Sequence, residues 1–491
     1  MKDKIVNVLK KDSVLPLIAA LASGMYPWAF YFTNNFDFVN SWDHFFFFIS
    51  RFILLPMVVF YGVYFLLKSK YLRLFKTTVL PFLSGFVFFY LVMLALHATV
   101  GFNKIIIVFV LAVLVAIACR NIQQLFKKLL IIQFILVLTT GLGFYRISKS
   151  FFKYSDEWIE QPDNIEEVIF KKTPNIYVIQ PDGYANFSEL RKGYYKYDNS
   201  TFESWLETNN FKLYHSFRSN YFSTLSSNSS LFSMKHHYNN LFDERKIIMD
   251  KNTVVSIFKN NGYKTHFLAE LPYLLINRPN IKFDYTNFDV NNISFLSKGL
   301  EAERSILVDL PLVLQKNKEE NGKNFYFIEK LLPGHITTFK DATTTKEKER
   351  LLYLKSIEDV NEWMKNVFQL ISENDPNAMI IILADHGGFV GWDYTLQTTN
   401  TTSDENLINS VFTAALAIKW PNNEPPTFKH EFKSSVNFFR TIFSYLAEDE
   451  IYLKNLQDDA SYLTLWDEKN KGLYKVINSE NEIVLEKNNS E

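Results

Sequence analysis

The sequence predicts a five-span α-helical membrane region followed by an α/β domain whose mainly parallel sheet is sandwiched by helices. Three observations carry this reading. Five long uncharged apolar runs precede residue 147, net charge reverses sign there, and short apolar strands then alternate with polar-capped helical segments. The expected divisions are 1–147 for the membrane region, 148–174 for a linker and 175–491 for the second domain.

The chain has 491 residues with 52 Lys+Arg, 52 Asp+Glu and one Cys, too many residues for one typical domain. Its neutrality conceals a split. Up to Ile147 there are ten Lys and four Arg against four Asp and no Glu, leaving 38 basic and 48 acidic residues in the rest. The acidic part has no basic tract, which argues against nucleic acid as a partner, because phosphate contacts need clustered Lys and Arg. One Cys excludes a disulfide framework, and without CxxC or Cys/His spacing there is no zinc finger.

The uncharged runs are Ser13 to Phe36, Phe52 to Leu67 (continuing back past Arg51 to Phe45), Thr77 to Asn103, Ile105 to Cys119 and Leu129 to Tyr145. The fourth reaches only about 22 Å as a helix, short for a bilayer core, but Lys104 and Arg120 at its ends can snorkel. Lys2, Lys4, Lys10 and Lys11 before the first run also fit a cleaved signal peptide; four further apolar runs argue against that. Orientation follows from the loops. The N-terminal tail, the second loop (Lys68, Lys70, Arg73, Lys76) and the fourth (Arg120, Lys127, Lys128) hold eleven basic residues, against Lys104 alone in the first and third. This puts the N-terminus in the cytoplasm and, after five spans, the second domain outside it in a cell (inner) membrane protein. Arg146, Lys149 and Lys153 oppose the bias. Arg51 is the one charge inside a span, and a functional and a snorkelling role stand equal for it. Pro16, Pro27, Pro56 and Pro81 fit membrane helices.

From Phe151 the pattern is that of alternating strands and helices. Asn175 to Ile179 is a short apolar strand ended by Gln-Pro-Asp-Gly. Ser200 to Thr208 reads as a helix, Phe211 to Ser216 as a strand, Val254 to Phe267 as helix then strand, and Phe325 to Glu329 as a strand. Lys346 to Ser372 is a long amphipathic helix, Met379 to Ala384 and Val411 to Ile418 are strands, and Ser435 to Leu446 is a helix. Asn317 to Asn324 and Thr398 to Asn406 read as exposed loops. Buried strands separated by helices imply a doubly wound sheet, whose chemistry sits at the carboxyl ends of its strands.

Polar groups stand at three such ends: Asp182, His335, and Asp385-His386-Gly387-Gly388. Asp and His are divalent-cation ligands, and adjacent at a turn they aim at one point. Asp-His-Gly alone reads more readily as a turn with a capping Asp and a surface His. Ser219 to Leu231 is either a polar loop or a segment that sets Thr224 at a helix N-terminus, where free N–H groups favour an anion such as phosphate. A Thr hydroxyl is a poor nucleophile at neutral pH. A cation held by Asp182, Asp385 and His386 would activate it and neutralise phosphoryl oxygens.

The order of strand-Pro-Asp-Gly-Tyr, Ser-Asn-Tyr-x-x-Thr-x-x-Ser, a strand with Pro-x-His, and strand-Asp-His-Gly resembles the sulfatase-like branch of the alkaline phosphatase superfamily, from Asn175 to about Leu446. With five preceding spans it is similar to lipoteichoic acid synthases and phosphoethanolamine transferases. The resemblance implies an alkaline-phosphatase-like fold and one divalent metal ion, manganese or zinc, held by Asp182, Thr224, Asp385 and His386, with Thr224 as nucleophile and His335 touching substrate. True sulfatases need a C/S-x-P-x-R motif. Here the only Cys, Cys119, lies in a span, and Thr224-Leu-Ser-Ser-Asn lacks the Pro and Arg, which argues against sulfate-ester hydrolysis. After His335, Ile-Thr-Thr-Phe stands where relatives carry a Pro before the Phe. The single Asp of the first motif points to one metal rather than two. His215, His236, His237 and His266 are weaker candidates for extra contacts, each read first as structural or surface.

The expected activity is therefore transfer of phosphoglycerol or phosphoethanolamine from a membrane lipid donor to an envelope glycan, lipid or polymer acceptor, through a phosphothreonine. A phosphodiesterase, phosphatase or other hydrolase using the same site, and a non-catalytic envelope assembly protein, are the alternatives.

Overall fold

The computed structural model describes residues 13–69, 71, 76–122, 124–238, 242–296, 302–320, 322–340, 342–467 and 469–488. Lys2, Lys4, Lys10, Lys11, Lys70 and Arg73, which weigh heavily in the orientation argument, lie outside the described residues. The chain forms two compact units.

The first unit comprises Met1–Lys153 with Ile276–Arg278 and Ile293–Glu301. It has five helices long and apolar enough to cross a membrane: Leu15–Asn34, Trp42–Leu66, Thr77–His97, Phe102–Asn121 and Leu125–Lys149. The fourth begins after Gly101 and runs for 20 residues, so it takes Lys104 and Arg120 into the helix and removes the shortfall in length that the uncharged run implied. Lys127 and Lys128 likewise fall inside the fifth helix. The second span contains a π-helical turn at Ser50–Leu54, where Arg51 is exposed and its guanidinium lies 5.7 Å from the Phe47 ring centre. Small residues bring the helices together. A Cβ on Gly24 would lie 1.9 Å from the Phe52 carbonyl oxygen, and Ser23 Oγ donates to Ala19 O at 2.7 Å while lying 3.0 Å from Ser84 Oγ. In the two added segments, Phe295 stacks on Phe47 with 4.3 Å between ring centres, and the Arg278 guanidinium lies 3.8 Å over Phe295.

The second unit comprises Tyr154–Leu275, Pro279–Asn292 and Ala302–Glu491. The stretch 154–174, read from sequence as connecting chain, packs here through buried Ile165, Val168 and Phe170, the last stacked on Phe443 at 5.4 Å. The core is a seven-stranded sheet of β1 (Ile176–Pro181), β2 (Phe211–Leu213), β3 (Tyr263–Ala269), β4 (Tyr285–Thr286), β5 (Lys323–Lys330), β6 (Met379–Leu383) and β7 (Leu416–Lys419). The spatial order is β2-β7-β6-β1-β5-β3-β4. All pairs from β6 through β4 are parallel; β7 runs antiparallel to both its neighbours. β1 is central and buried at every position, with Val178 opposite Phe327 on one side and Ile381 on the other.

Helices cover both faces. The helices are α1 (Ser200–Thr208), α2 (Thr224–Ser233), α3 (Thr253–Asn260), α4 (Ile306–Glu320), α5 (Lys346–Asn374), α6 (Glu405–Phe412) and α7 (Ser435–Ala447). Phe232 of α2 packs edge-on against Phe327, and Phe258 of α3 stacks on Phe325, which Phe439 of α7 also meets. Tyr326 points the other way, as strand alternation demands, and its hydroxyl accepts from Asn317 of α4 at 2.7 Å. On that face Phe368 of α5 meets Trp205 of α1.

Two expectations need correction, and one feature is new. Val411 to Ile418 is not one strand: Asp404 accepts hydrogen bonds from the N–H groups of Asn406 and Leu407 and starts α6, which runs to Phe412 before β7 begins. Asn317 lies buried in α4, which the Asn/Lys/Glu-rich composition concealed. The carboxyl-terminal part forms a separate antiparallel sheet, in the order β10 (Ile483–Lys487), β9 (Lys471–Ile477), β8 (Ser461–Trp466), not foreseen from sequence.

Candidate metal centre

The parallel strands deliver three groups to one point. Asp182 follows β1, while Asp385 and His386 leave β6 after Ala384; the potential ligand atoms of all three lie within 4.8 Å of one another, and all three residues are buried. The two turns are locked together. Gly183 N–H donates to Asp385 Oδ1 at 2.9 Å, and Gly334 N–H donates to the Asp182 carbonyl at 2.9 Å. Gly183 has φ +67°, and a Cβ there would lie 2.1 Å from the Gly334 carbonyl oxygen, so the close approach requires glycine. Tyr353 of α5 fixes the same turn, its hydroxyl donating to the Gly183 carbonyl at 2.8 Å and accepting from the Ala185 N–H at 3.1 Å.

Thr224 opens α2, capped by Ser223, whose side chain accepts from the Ser226 N–H. Its Oγ1 donates to Asp182 Oδ1 at 2.9 Å and lies 3.4 Å from His386 Nε2. His386 Nδ1 sits 2.8 Å from the Gly387 carbonyl, which can only accept; Nδ1 therefore carries the proton and Nε2 presents its lone pair. That lone pair lies 3.6 Å from Asp182 Oδ1 and 3.4 Å from Asp385 Oδ2.

The electrostatics fit a cation. Burial, then the nearby Asp182 charge, pushes the Asp385 carboxyl well above the usual carboxylate range, and burial lowers the His386 imidazole against the pull of Asp182. Asp385 Oδ2 is buried without a hydrogen-bond partner, and neither Asp182 nor Asp385 pairs with a Lys or Arg among the described residues. Two carboxylates and a neutral imidazole form a donor set for a hard or borderline divalent ion, with a helix N-terminus beside it to receive an anion.

His335 is exposed, with its ring centre 6.1 Å from that of His386 and 5.7 Å from Phe389; Nδ1 meets the Ile336 carbonyl at 2.7 Å, which leaves Nε2 as an acceptor. His215, His236, His237 and His266 are not part of the cluster. His236 Nε2 meets the Asp458 carbonyl at 2.6 Å, His237 stacks on Tyr221 at 3.8 Å, His266 stacks on Tyr326 at 4.6 Å, and His215 is exposed. The Ser-Asn-Tyr segment before Thr224 is structural: Asn220 Oδ1 accepts from Ser435 Oγ at 2.9 Å and Val436 N–H at 2.7 Å, tying it to α7.

Sequence reasoning missed Glu329. It is buried on β5 in register with Gln180, both carboxylate oxygens lack hydrogen-bond partners among the described residues, and burial, reinforced by Asp182 and Asp385, raises it well above its usual range. A carboxylate ending the apolar run Phe325-Tyr-Phe-Ile328 was the available signal.

A family model described as Sulfatase matches residues 193–447, just over half of the chain. The chain belongs to the sulfatase family. The match contains Thr224, His335, Asp385 and His386, while Asp182 precedes it. No curated protein shows significant sequence similarity to this sulfatase-family chain. Three solved structures are similar to it. The C-terminal periplasmic domain of EcEptC from Escherichia coli is 12% identical, covering 64% of this chain and 96% of that one with TM-score 0.43. Integral membrane lipooligosaccharide phosphoethanolamine transferase A from Neisseria meningitidis is 14% identical, covering 88% and 95% with TM-score 0.39. The lipoteichoic acid synthase LtaP from Listeria monocytogenes is 12% identical, covering 65% and 91% with TM-score 0.40.

Proposed function

We propose that this sulfatase-family membrane enzyme is a metal-dependent phospho-alcohol transferase. It would take a phosphoglycerol or phosphoethanolamine group from a membrane lipid donor to an envelope glycan, lipid or polymer, outside the cytoplasm and with the N-terminus inside. The observation that carries the reading is Thr224 Oγ1 at 2.9 Å from Asp182 Oδ1 and 3.4 Å from His386 Nε2, at the start of a helix and beside an unpartnered Asp385 oxygen.

Asp182, Asp385, His386 and Thr224 would hold one manganese or zinc ion. Bound there, the ion supplies Lewis-acid stabilisation of phosphoryl oxygens and a lowered Thr224 pKa. Asp182 Oδ1, already the hydrogen-bond acceptor of the hydroxyl, takes its proton as Thr224 Oγ1 attacks the donor phosphorus. The bond between phosphorus and the diacylglycerol oxygen breaks, and that oxygen takes a proton from solvent as diacylglycerol leaves. The first N–H groups of α2 receive the phosphate oxygens, and His335 contacts the head group or the leaving oxygen. An acceptor hydroxyl then attacks phosphorus and gives its proton to solvent, the bond between phosphorus and Thr224 Oγ1 breaks, and Oγ1 takes back the proton held by Asp182.

The full-length enzyme incubated with manganese and labelled phosphatidylglycerol or phosphatidylethanolamine, without acceptor, is expected to gain one head-group phosphate by intact mass and release about one equivalent of diacylglycerol. Continuous release of free head-group phosphate without an adduct would replace the transferase by a hydrolase.

A further inference from the structure

In the segments that build the metal centre, the chain enters the left-handed region at Gly183, Gly334 and Gly391, with φ +67°, +73° and +110°. It does so again at φ +62°, on Phe389. A bulky L-residue is disfavoured there by contact between its Cβ and the backbone, so glycine would relieve the turn. The turn itself is held by backbone hydrogen bonds: Phe389 N–H donates to the Ser410 carbonyl at 3.0 Å, and Trp392 N–H donates to the Phe389 carbonyl at 3.2 Å. Any residue with an N–H could make these bonds, so they do not account for a phenylalanine. Its ring contacts do.

The buried Phe389 ring stands edge-on to two imidazoles, 5.5 Å and 84° from His386 and 5.7 Å and 67° from His335. Each imidazole has one nitrogen anchored on a backbone carbonyl, His386 Nδ1 on Gly387 at 2.8 Å and His335 Nδ1 on Ile336 at 2.7 Å. One hydrogen bond fixes a tautomer but leaves the ring free to swing about it. The direction of each Nε2 then depends on what packs against the ring, and Phe389 packs against both. The two segments are also joined, since Ile336 N–H donates to the Gly388 carbonyl at 3.2 Å.

We propose that Phe389 is a positioning residue. Its ring sets the planes of both imidazoles, aiming His386 Nε2 at the point shared with Asp182 and Asp385 and His335 Nε2 at the substrate side. The inference rests on the metal-centre reading of the proposed function and adds a residue that acts only through the two histidines.

The test titrates the full chain in detergent with manganese, reading metal content by equilibrium dialysis and folding by thermal melting. Phe389→Leu keeps apolar bulk and the left-handed turn but loses the flat ring; Phe389→Gly relieves the turn and has no ring. Both variants are expected to need about tenfold more manganese for half-occupancy. In a His386→Ala background, Phe389→Leu should change half-occupancy by less than about twofold, because the ring acts through His386, whereas a general packing loss would weaken both backgrounds alike. At saturating manganese, diacylglycerol release from phosphatidylethanolamine or phosphatidylglycerol should slow about tenfold in Phe389→Leu, and less than about twofold when His335 is already alanine. Wild-type manganese binding in either folded variant, or equal weakening with and without His386, would overturn the inference. A wild type that binds manganese but releases no diacylglycerol would overturn the proposed function, and the manganese comparison would still decide the role of Phe389. A wild type that binds no manganese would overturn the centre and the inference with it.

Discussion

Gly183 N–H donates to Asp385 Oδ1 at 2.9 Å, joining the turn after β1 to the turn after β6 and turning the second oxygen of Asp385 into the space shared with His386 and Asp182. The centre is therefore held by backbone from one strand end and side chain from another.

Gly183→Ala tests that joint. The added Cβ meets the Gly334 carbonyl oxygen at φ +67°, so the variant should lose about 1–3 kcal/mol of stability and bind metal more weakly. Thermal melting and metal content of the purified protein read both. Wild-type values for each would show that the turn is not a constraint.

Asp385→Asn and His386→Ala should each weaken manganese or zinc binding at least about tenfold while the fold survives, because these groups lie beyond the sheet core. Metal stoichiometry after dialysis and circular dichroism give the comparison. Full metal content in both variants would refute the centre.

Thr224→Ala should reduce turnover by at least about a thousandfold yet leave metal bound by the other three groups, and Thr224→Ser should retain partial activity because the hydroxyl is the reacting group. Unchanged activity in Thr224→Ala would end the covalent mechanism.

A pH dependence follows from Asp163. Burial raises its carboxyl, but hydrogen bonds from Arg440, at 2.7 Å, and Asn455 outweigh this and hold it below the usual range. A carboxyl depressed in the folded state stabilises above its unfolded pKa, and that contribution disappears as pH falls through the folded value. The wild type should therefore lose stability below about pH 4. Asp163→Ala should be less stable by about 2–3 kcal/mol at neutral pH, with the difference shrinking in acid. Urea melts across pH check it; a constant difference would remove the pair from the acid response.

A reporter fused after Lys153 should be active only outside the cytoplasm, since eleven basic residues face one across the loops. Cytoplasmic activity there would reverse the topology and place the proposed chemistry on the wrong side of the membrane.

Sequence alone determined the elements whose signals are local. Uncharged runs marked the five apolar helices, and alternating strands and capped helices marked the sheet, with α1 read to its observed ends at Ser200 and Thr208. Strand-end Asp and His pointed to Asp182, Asp385 and His386, because a parallel sheet must turn its chemistry to one edge. Elements whose stability comes from distant partners were not legible. Asn317 reads as a loop residue until the hydroxyl of Tyr326 receives its hydrogen bond, and β8 to β10 have meaning only as mutual neighbours. Glu329 ends an ordinary apolar strand in sequence; only the register of β5 against β1 makes it a buried carboxylate beside two others. The distances among Thr224, Asp182 and His386 belong to tertiary structure for the same reason, since each residue leaves a different element and only packing of α2 and the strands fixes where the three meet.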